Sequence, residues 1–359
     1  MHLFISLTHN CQLRCNYCYA GEKQHRPITR ETIRQSIDFI FQMPMQKLEF
    51  GLFGGEPLLE WELFQYATEY VEQRAQETDT KLVKTVTTNA VLLDAEKIAW
   101  LRAHAYYVVV SIDGNAQMHD THRLYADGSS SFEEVTRAIS RLQEAYTERE
   151  YCVISVVTPQ NIIHLLDSVK YLYEELHIHN IHLSVDYFGA WGEETEAYTQ
   201  VYYAIGAYVV EQYRAGRVVQ IDFIEEKIKA QILEGCTACS FGERKLGIAP
   251  SGNIYPCERL IGEDDGTLCI GNVYEGFDIE TRDQVIQTRG NTDTECQTCP
   301  VRDRCVNHCG CTNHYLTGSI NTTGGTLCFF QKLMIAVADE VANTLYEEKN
   351  RLFLEQFYG

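Results

Sequence analysis

Cys11-Gln-Leu-Arg-Cys15-Asn-Tyr-Cys18 places three thiols within eight residues. The stretch follows a run in which Leu3, Ile5 and Leu7 alternate with His2, Phe4 and Ser6, the pattern of a buried strand that ends in a loop. A four-iron four-sulfur cluster usually takes four cysteine thiolates. Three thiols with no near fourth leave one iron able to accept an outside ligand, by the logic that separates catalytic zinc sites from closed structural ones. The alternative is a zinc site completed by His9 or His25.

Cys-x3-Cys-x2-Cys with the aromatic Tyr17 just before the last cysteine resembles the signature loop of the radical S-adenosylmethionine (SAM) enzymes. The resemblance implies that the open iron is chelated by the amino and carboxylate groups of SAM, with Tyr17 at the cofactor. It also implies reductive cleavage to a 5′-deoxyadenosyl radical. Further along, Ile33, Ile37 and Ile40 repeat at helical spacing, and Leu48 to Phe53 reads as a strand stopping at Gly54-Gly55-Glu56-Pro57. This tetrapeptide, one β-α unit after the cysteine loop, looks like the family motif that hydrogen-bonds the SAM amino group. Backbone carbonyls and Glu56 are natural acceptors for an ammonium.

The alternation continues with a helix over about 60–76, a strand over 82–87, a helix over about 94–102 and a strand over 107–112. Val135, Ile139 and Leu142 mark the next helix, 152–157 the next strand, Leu165, Val169 and Leu172 a helix, and 181–187 the sixth strand. Strands alternating with helices of this length give right-handed βαβ units and a parallel sheet. The fold class expected is therefore α/β, and six such units resemble the family's partial (β/α)6 TIM-like barrel. Its motifs sit after strands, at the carboxyl edge where such sheets bind ligands. Thr88-Asn89 and Ser111-Ile-Asp113 resemble family positions at the SAM ribose and carboxylate, and Arg123 could pair with that carboxylate as a planar fork. A helix cap at Ser111 or Asp113 and a surface ion pair for Arg123 are the structural alternatives. Residues from 193 to about 229 read as helical, with Tyr198, Tyr202, Tyr203, Tyr208 and Tyr213 as packing aromatics.

Ten of the fourteen cysteines lie from Cys236 onward. Cys239-x12-Gly252-x4-Cys257 carries a Ser251-Gly252-Asn253 tip flanked by Ile248 and Ile254, the pattern of a hairpin. Cys296-x2-Cys299-x5-Cys305-x3-Cys309 follows, and then Cys328. This order looks like the SPASM extension of radical SAM enzymes that modify peptides and proteins. It implies two auxiliary four-iron clusters, making three in all. One takes Cys239, Cys257 and Cys309 with Cys236 as fourth ligand, and the other takes Cys296, Cys299, Cys305 and Cys328. Cys311 or Cys236 could exchange with its neighbour. Paired Cys-x2-Cys ribbons binding zinc are the alternative. Glu258 follows Cys257, and an acidic residue at the matching position acts as base in sulfatase-maturing relatives. A solvated hairpin-end charge is the other reading of it.

These readings divide the chain into 1–230, a partial barrel, 231–330, a small cysteine-rich α+β iron–sulfur domain, and 331–359, a terminal helix and aromatic tail. With 359 residues and 45% hydrophobic content, the core needs no disulfide staples. Clustered thiols without a signal peptide point to metal ligands in a reducing cytosol, and no apolar run is long enough to span a membrane. A net charge of −20 argues against nucleic acid as partner, because phosphate binding is driven by lysine and arginine. The resemblance implies hydrogen-atom abstraction from a residue of a ribosomally made peptide, with one electron delivered by flavodoxin or ferredoxin. A formylglycine-generating anaerobic sulfatase maturase is the second reading, and a non-catalytic electron-transfer or zinc-binding module the third. The sequence begins on the first strand, so leader binding is expected to need a separate recognition protein or the acidic surface itself.

Overall fold

The structure, a computed structural model, describes residues 1–233, 239–288, 290 and 292–359. In chain order come β1 (His2–Ser6), α1 (Arg30–Phe41), β2 (Lys47–Phe53), α2 (Trp61–Glu77), β3 (Lys81–Thr88), α3 (Ala95–Ala103) and β4 (Tyr106–Ser111). Then follow α4 (Ala116–His119), α5 (Phe132–Ala145), β5 (Tyr151–Val157), α6 (Leu165–Lys170), β6 (Asn180–Val185), α7 (Thr195–Arg214), β7 (Gln220–Ile221), α8 (Asp222–Ile232), β8 (Lys245–Ile248) and β9 (Ile254–Tyr255). The fold class is α/β, with the parallel pairing and strand–helix alternation that a partial (β/α)6 barrel requires. Among the described residues no helix is long and apolar enough to cross a membrane.

Two compact units share the chain. The first comprises Met1–Ser111, Arg123–Tyr151 and Cys239–Arg289. Its strands run β4-β3-β2-β1-β8 in parallel, with β9 antiparallel on β8. Leu3 pairs with Phe50 and Ile5 with Leu52, so the alternating run buries Leu3, Ile5 and Leu7 completely. Each such burial contributes roughly 1.5–3 kcal/mol. The expected hairpin is present, with Ile248 opposite Ile254 and Gly252 at φ +91°.

Pairing of β8 with β1 places the hairpin in the sheet of the first unit. His2 lies opposite Lys245, so backbone groups that would leave β1 an open edge are satisfied by the later segment. The compact units interleave along the chain.

The second unit comprises Ile112–His122, Cys152–Ala238 and Gly290–Gly359. Its strands run β5-β6-β7 in parallel. The helix expected from 193 to 229 is broken: α7 ends at Arg214, Gly216 turns the chain at φ +74°, and β7 pairs with β6. The expected tyrosine packing is seen at Tyr198, Tyr202, Tyr208 and Tyr213, all buried. A helix over Gly325–Glu347 packs on α7 and α8, and a Cβ on Gly206 of α7 would come within 2.8 Å of the Val337 side chain. The expected aromatic tail is itself a helix, Arg351–Tyr358, capped by Asn350, with Phe353 buried 6.1 Å from the Tyr213 ring.

Asp222 opens α8 and accepts the Leu183 N–H at 2.9 Å. Burial pushes its carboxyl from 3.8 up to about 7, against the Leu183 N–H and with the charge of Glu226 adding. The folded state thus holds a proton that the unfolded chain releases, so this group's contribution is full below pH 3.8 and lost as pH rises through about 7. Asp222→Asn keeps the acceptor and removes the titration. Urea unfolding between pH 5 and 8 should show a flatter stability profile for the variant, the wild type losing up to about 1.4 kcal/mol per pH unit in that window.

Candidate active site

The loop after β1 is clipped to the loop after β2 by backbone hydrogen bonds. Gly55 N–H donates to the Thr8 carbonyl and Glu56 N–H to the Asn10 carbonyl, both at 2.8 Å. This approach explains the glycine pair. A Cβ on Gly54, which sits at φ +138°, would lie 2.4 Å from the Thr8 oxygen, and one on Gly55 would lie 2.1 Å from the Asn10 oxygen. Pro57 is buried where a short 3₁₀ turn begins. Gly55→Ala should therefore lower unfolding stability by about 1–3 kcal/mol in a urea titration, because backbone must shift. An unchanged midpoint would show that the loops part freely.

Glu56 is fully buried and binds the chain to itself. One carboxylate oxygen accepts the Leu58 N–H at 3.0 Å and the Thr88 hydroxyl at 2.8 Å, and the other accepts the Asn89 N–H at 2.8 Å. Burial pushes its carboxyl up to about 7, against these donors. Glu56 thus braces the ends of β2 and β3 through Thr88 and Asn89, the pair expected at the SAM ribose and carboxylate. Asn89 in turn accepts from Gln12 at 3.2 Å and points its amide at the Cys11 sulfur, 3.5 Å away.

Other backbone contacts fix the cysteine loop from outside. Leu13 bridges Tyr125, and Arg14 N–H donates to the Leu124 carbonyl at 2.8 Å. Arg123 is buried with its guanidinium 5.4 Å from the Tyr17 ring centre, so two residues expected at the cofactor stack on one another. Ser111 ends β4 and is buried in the first unit. Asp113, in the second unit, is fully buried and accepts the Val156 N–H at 3.0 Å. Cys15 and Cys18 line an open pocket with Arg14, Gly21, Glu22 and Lys23.

In the first unit the hairpin returns to this loop. Glu22 N–H donates to the Glu263 carboxylate at 2.7 Å, and a Cβ on Gly21 would strike the Gly262 carbonyl. Cys257 is buried, and its thiol donates to Glu258 at 3.4 Å. The other Glu258 oxygen lies 3.0 Å from Lys245 Nζ. Burial disfavours the Lys245 charge, but Cys257, Glu258 and Cys239 outweigh it and hold its pKa above the ordinary lysine value. Glu258 is therefore ion-paired, not a solvated end.

In the second unit, Cys296 and Cys299 flank a turn in which Cys299 N–H donates to the Cys296 carbonyl at 3.2 Å. Burial pushes the Cys305 thiol up to about 11, with Lys227 opposing and Cys328 adding. The charges of Cys328 and Cys299 raise the pKa of Lys332. Arg304 forks onto Asp339, at 2.7 and 3.1 Å, and Lys227 donates to Gln331 at 2.7 Å, fixing the Cys305 turn to the terminal helix. Cys309 lies 3.5 Å from Cys311, sulfur to sulfur. Cys236 lies outside the described residues.

Residues 5–172 match the family model of the Radical SAM superfamily. The chain contains a radical SAM domain. Over 332 residues it is 21% identical to the cysteine-type anaerobic sulfatase-maturating enzyme of Clostridium perfringens, covering 83% of this chain and 85% of that one. It is 29% identical over 176 residues to the uncharacterized protein MJ0907 of Methanocaldococcus jannaschii, a match covering 48% of this chain and 58% of that one. Among solved structures, native anSMEcpe with bound AdoMet and Cp18Cys peptide superposes with a TM-score of 0.80 at 18% identity, over 96% of this chain and 99% of that one. Streptococcus suis SuiB bound to precursor peptide SuiA gives 0.59 at 14% identity, over 91% and 75%. These likenesses are of fold.

The donors around the radical SAM loop fit a cluster held by three thiolates. Leu13 N–H lies 3.4 Å from the Cys11 sulfur, Asn89 Nδ2 3.5 Å from it, and Lys23 Nζ donates to the Cys18 sulfur at 3.0 Å. Burial pushes the Cys11 thiol up to about 11, with the charge of Glu56 adding and the Leu13 N–H opposing. Metal coordination is what would hold such a sulfur as thiolate. Of the zinc alternatives, His9 Nδ1 faces the Ala20 carbonyl at 3.2 Å while its Nε2 is buried without a hydrogen-bond partner among the described residues, and His25 lies 3.9 Å from Glu60. Sequence reasoning missed Lys23 and Lys245. Lys23 sits five residues past Cys18, and a lysine after the signature loop was the one available hint.

Proposed function

We propose that this radical SAM enzyme modifies a residue of a ribosomally synthesised peptide, using SAM and three four-iron clusters. The observation that carries the reading is the three-thiol loop, its sulfurs met by Leu13, Asn89 and Lys23 and its backbone clipped to Gly55 and Glu56. Cys11, Cys15 and Cys18 hold the SAM-binding cluster, and Tyr17, Thr88, Asn89, Ser111 and Arg123 lie on the segments that surround it. Cys296, Cys299, Cys305 and Cys328 hold one auxiliary cluster. Cys239 and Cys257 hold the other, to which cysteine order also assigns Cys309 and Cys236. When bound, SAM and the clusters supply one-electron cleavage and removal of a hydrogen atom and an electron from the substrate.

The chain's own residues orient and protect. Glu56 keeps the ends of β2 and β3 together, Arg123 holds Tyr17, and Glu258 accepts the proton that the oxidised substrate carbon or heteroatom must lose. Flavodoxin or ferredoxin supplies the electron. The solved relatives carrying peptides, anSMEcpe with Cp18Cys and SuiB with SuiA, support a peptide substrate. The anaerobic sulfatase-maturating relative supports a second reading, formylglycine formation with Glu258 as base.

Anaerobic co-expression with short reading frames from the gene neighbourhood, followed by mass spectrometry, tests the choice. A crosslink, thioether or other loss of two hydrogens in such a peptide supports the first reading. Conversion of a sulfatase cysteine or serine alone would replace it with the second.

A further inference from the structure

Lys245 has no place in the reading so far, yet its surroundings are specific. It opens β8 opposite His2 of β1, and its ammonium lies 5.3 Å from the Phe4 ring centre. Two residues on, Gly247 lets the chain at Glu258 cross the strand: a Cβ there would come within 2.6 Å of the Glu258 Cα. The same strand face thus brings the Glu258 backbone close at Gly247 and meets its carboxylate at Lys245, 3.0 Å away. The lysine side chain is only 25% exposed.

The inference rests on the assignment of an auxiliary cluster to Cys239 and Cys257. A cysteine binds iron as thiolate. The S–H that Cys257 now offers Glu258 at 3.4 Å is then gone, and a sulfur anion faces the carboxylate oxygen. Repulsion would turn Glu258 away were Lys245 not bound to its other oxygen.

We propose that Lys245 is a positioning residue that aims the Glu258 carboxylate and supplies the positive charge balancing the cluster on Cys239 and Cys257, raising that cluster's reduction potential. Lysine is suited to this as a compact point charge on a long stem. Removing it leaves two neighbouring anions uncompensated in a partly buried place, which disfavours adding an electron.

EPR-monitored redox titration of full-length, reconstituted protein tests this with Lys245→Met, Lys245→Gln and Lys245→Arg. The Met and Gln variants should shift one auxiliary signal to lower potential by at least the equivalent of a tenfold change, about 59 mV for one electron. The Arg variant should return it toward wild type, a rescue that loss of packing would not show. Gln keeps a hydrogen bond to Glu258 without charge and serves if Met fails to load. Unchanged potentials in Gln or Met protein that holds full iron would overturn the proposal and leave the cluster assignment standing. About four irons in wild-type protein, one cluster's worth, would overturn both.

Discussion

Cys15→Ala should abolish reductive cleavage of SAM. Three thiolates are the minimum that holds a four-iron cluster with one position open, and Cys15 lines the open pocket with Cys18. In the first unit the Cys257 thiol donates to Glu258 and the Cys269 thiol to the Gly271 carbonyl, so neither is turned to take its place. The expected loss, read as 5′-deoxyadenosine and methionine formed with dithionite as reductant, is at least roughly a thousandfold, or about 4 kcal/mol of barrier lowering. The protein should stay folded, since Leu13, Arg14 and Glu56 fix the loop through backbone contacts that do not need the thiol.

Cys299→Ala separates the two ends of the reaction. The charges of Cys328 and Cys299 both raise the pKa of Lys332, and that of Cys328 adds to the rise at Cys305. Loss of one ligand should empty or degrade that auxiliary cluster and block product by roughly a hundredfold or more, while SAM cleavage continues at a measurable rate. Iron should fall by about four per chain. Full product from the variant, with iron reduced, would remove this cluster from the electron path.

Local patterns carried much of the architecture. The alternation of Leu3, Ile5 and Leu7, the isoleucines of α1 and the turn at Gly252 each report a period or a backbone requirement that neighbours in sequence express. Gly54 and Gly55 were legible as a close approach, but what approaches in the structure is the Thr8–Asn10 backbone. Long-range pairing was not legible. Nothing between residues 231 and 260 says that β8 will lie beside β1, so neither the interleaved units nor the Lys245–Glu258 pair could be read in advance. The two-residue β7 was missed because a single Gly216 is a weak breaker inside a tyrosine-rich helical pattern. The three hydrogen bonds to Glu56 were not legible either, because their donors come from the end of β3 and from its own turn.

The central claim is that the cluster at Cys11, Cys15 and Cys18 keeps one iron for SAM. The most direct measurement is the low-temperature EPR spectrum of the reduced protein with and without SAM, using Cys15→Ala to subtract the auxiliary signals. Binding at an open iron predicts that the N-terminal signal changes its g-values when SAM is added. An N-terminal signal identical in both samples, at SAM concentrations that saturate binding, would mean a cluster closed by four protein ligands and would contradict the account.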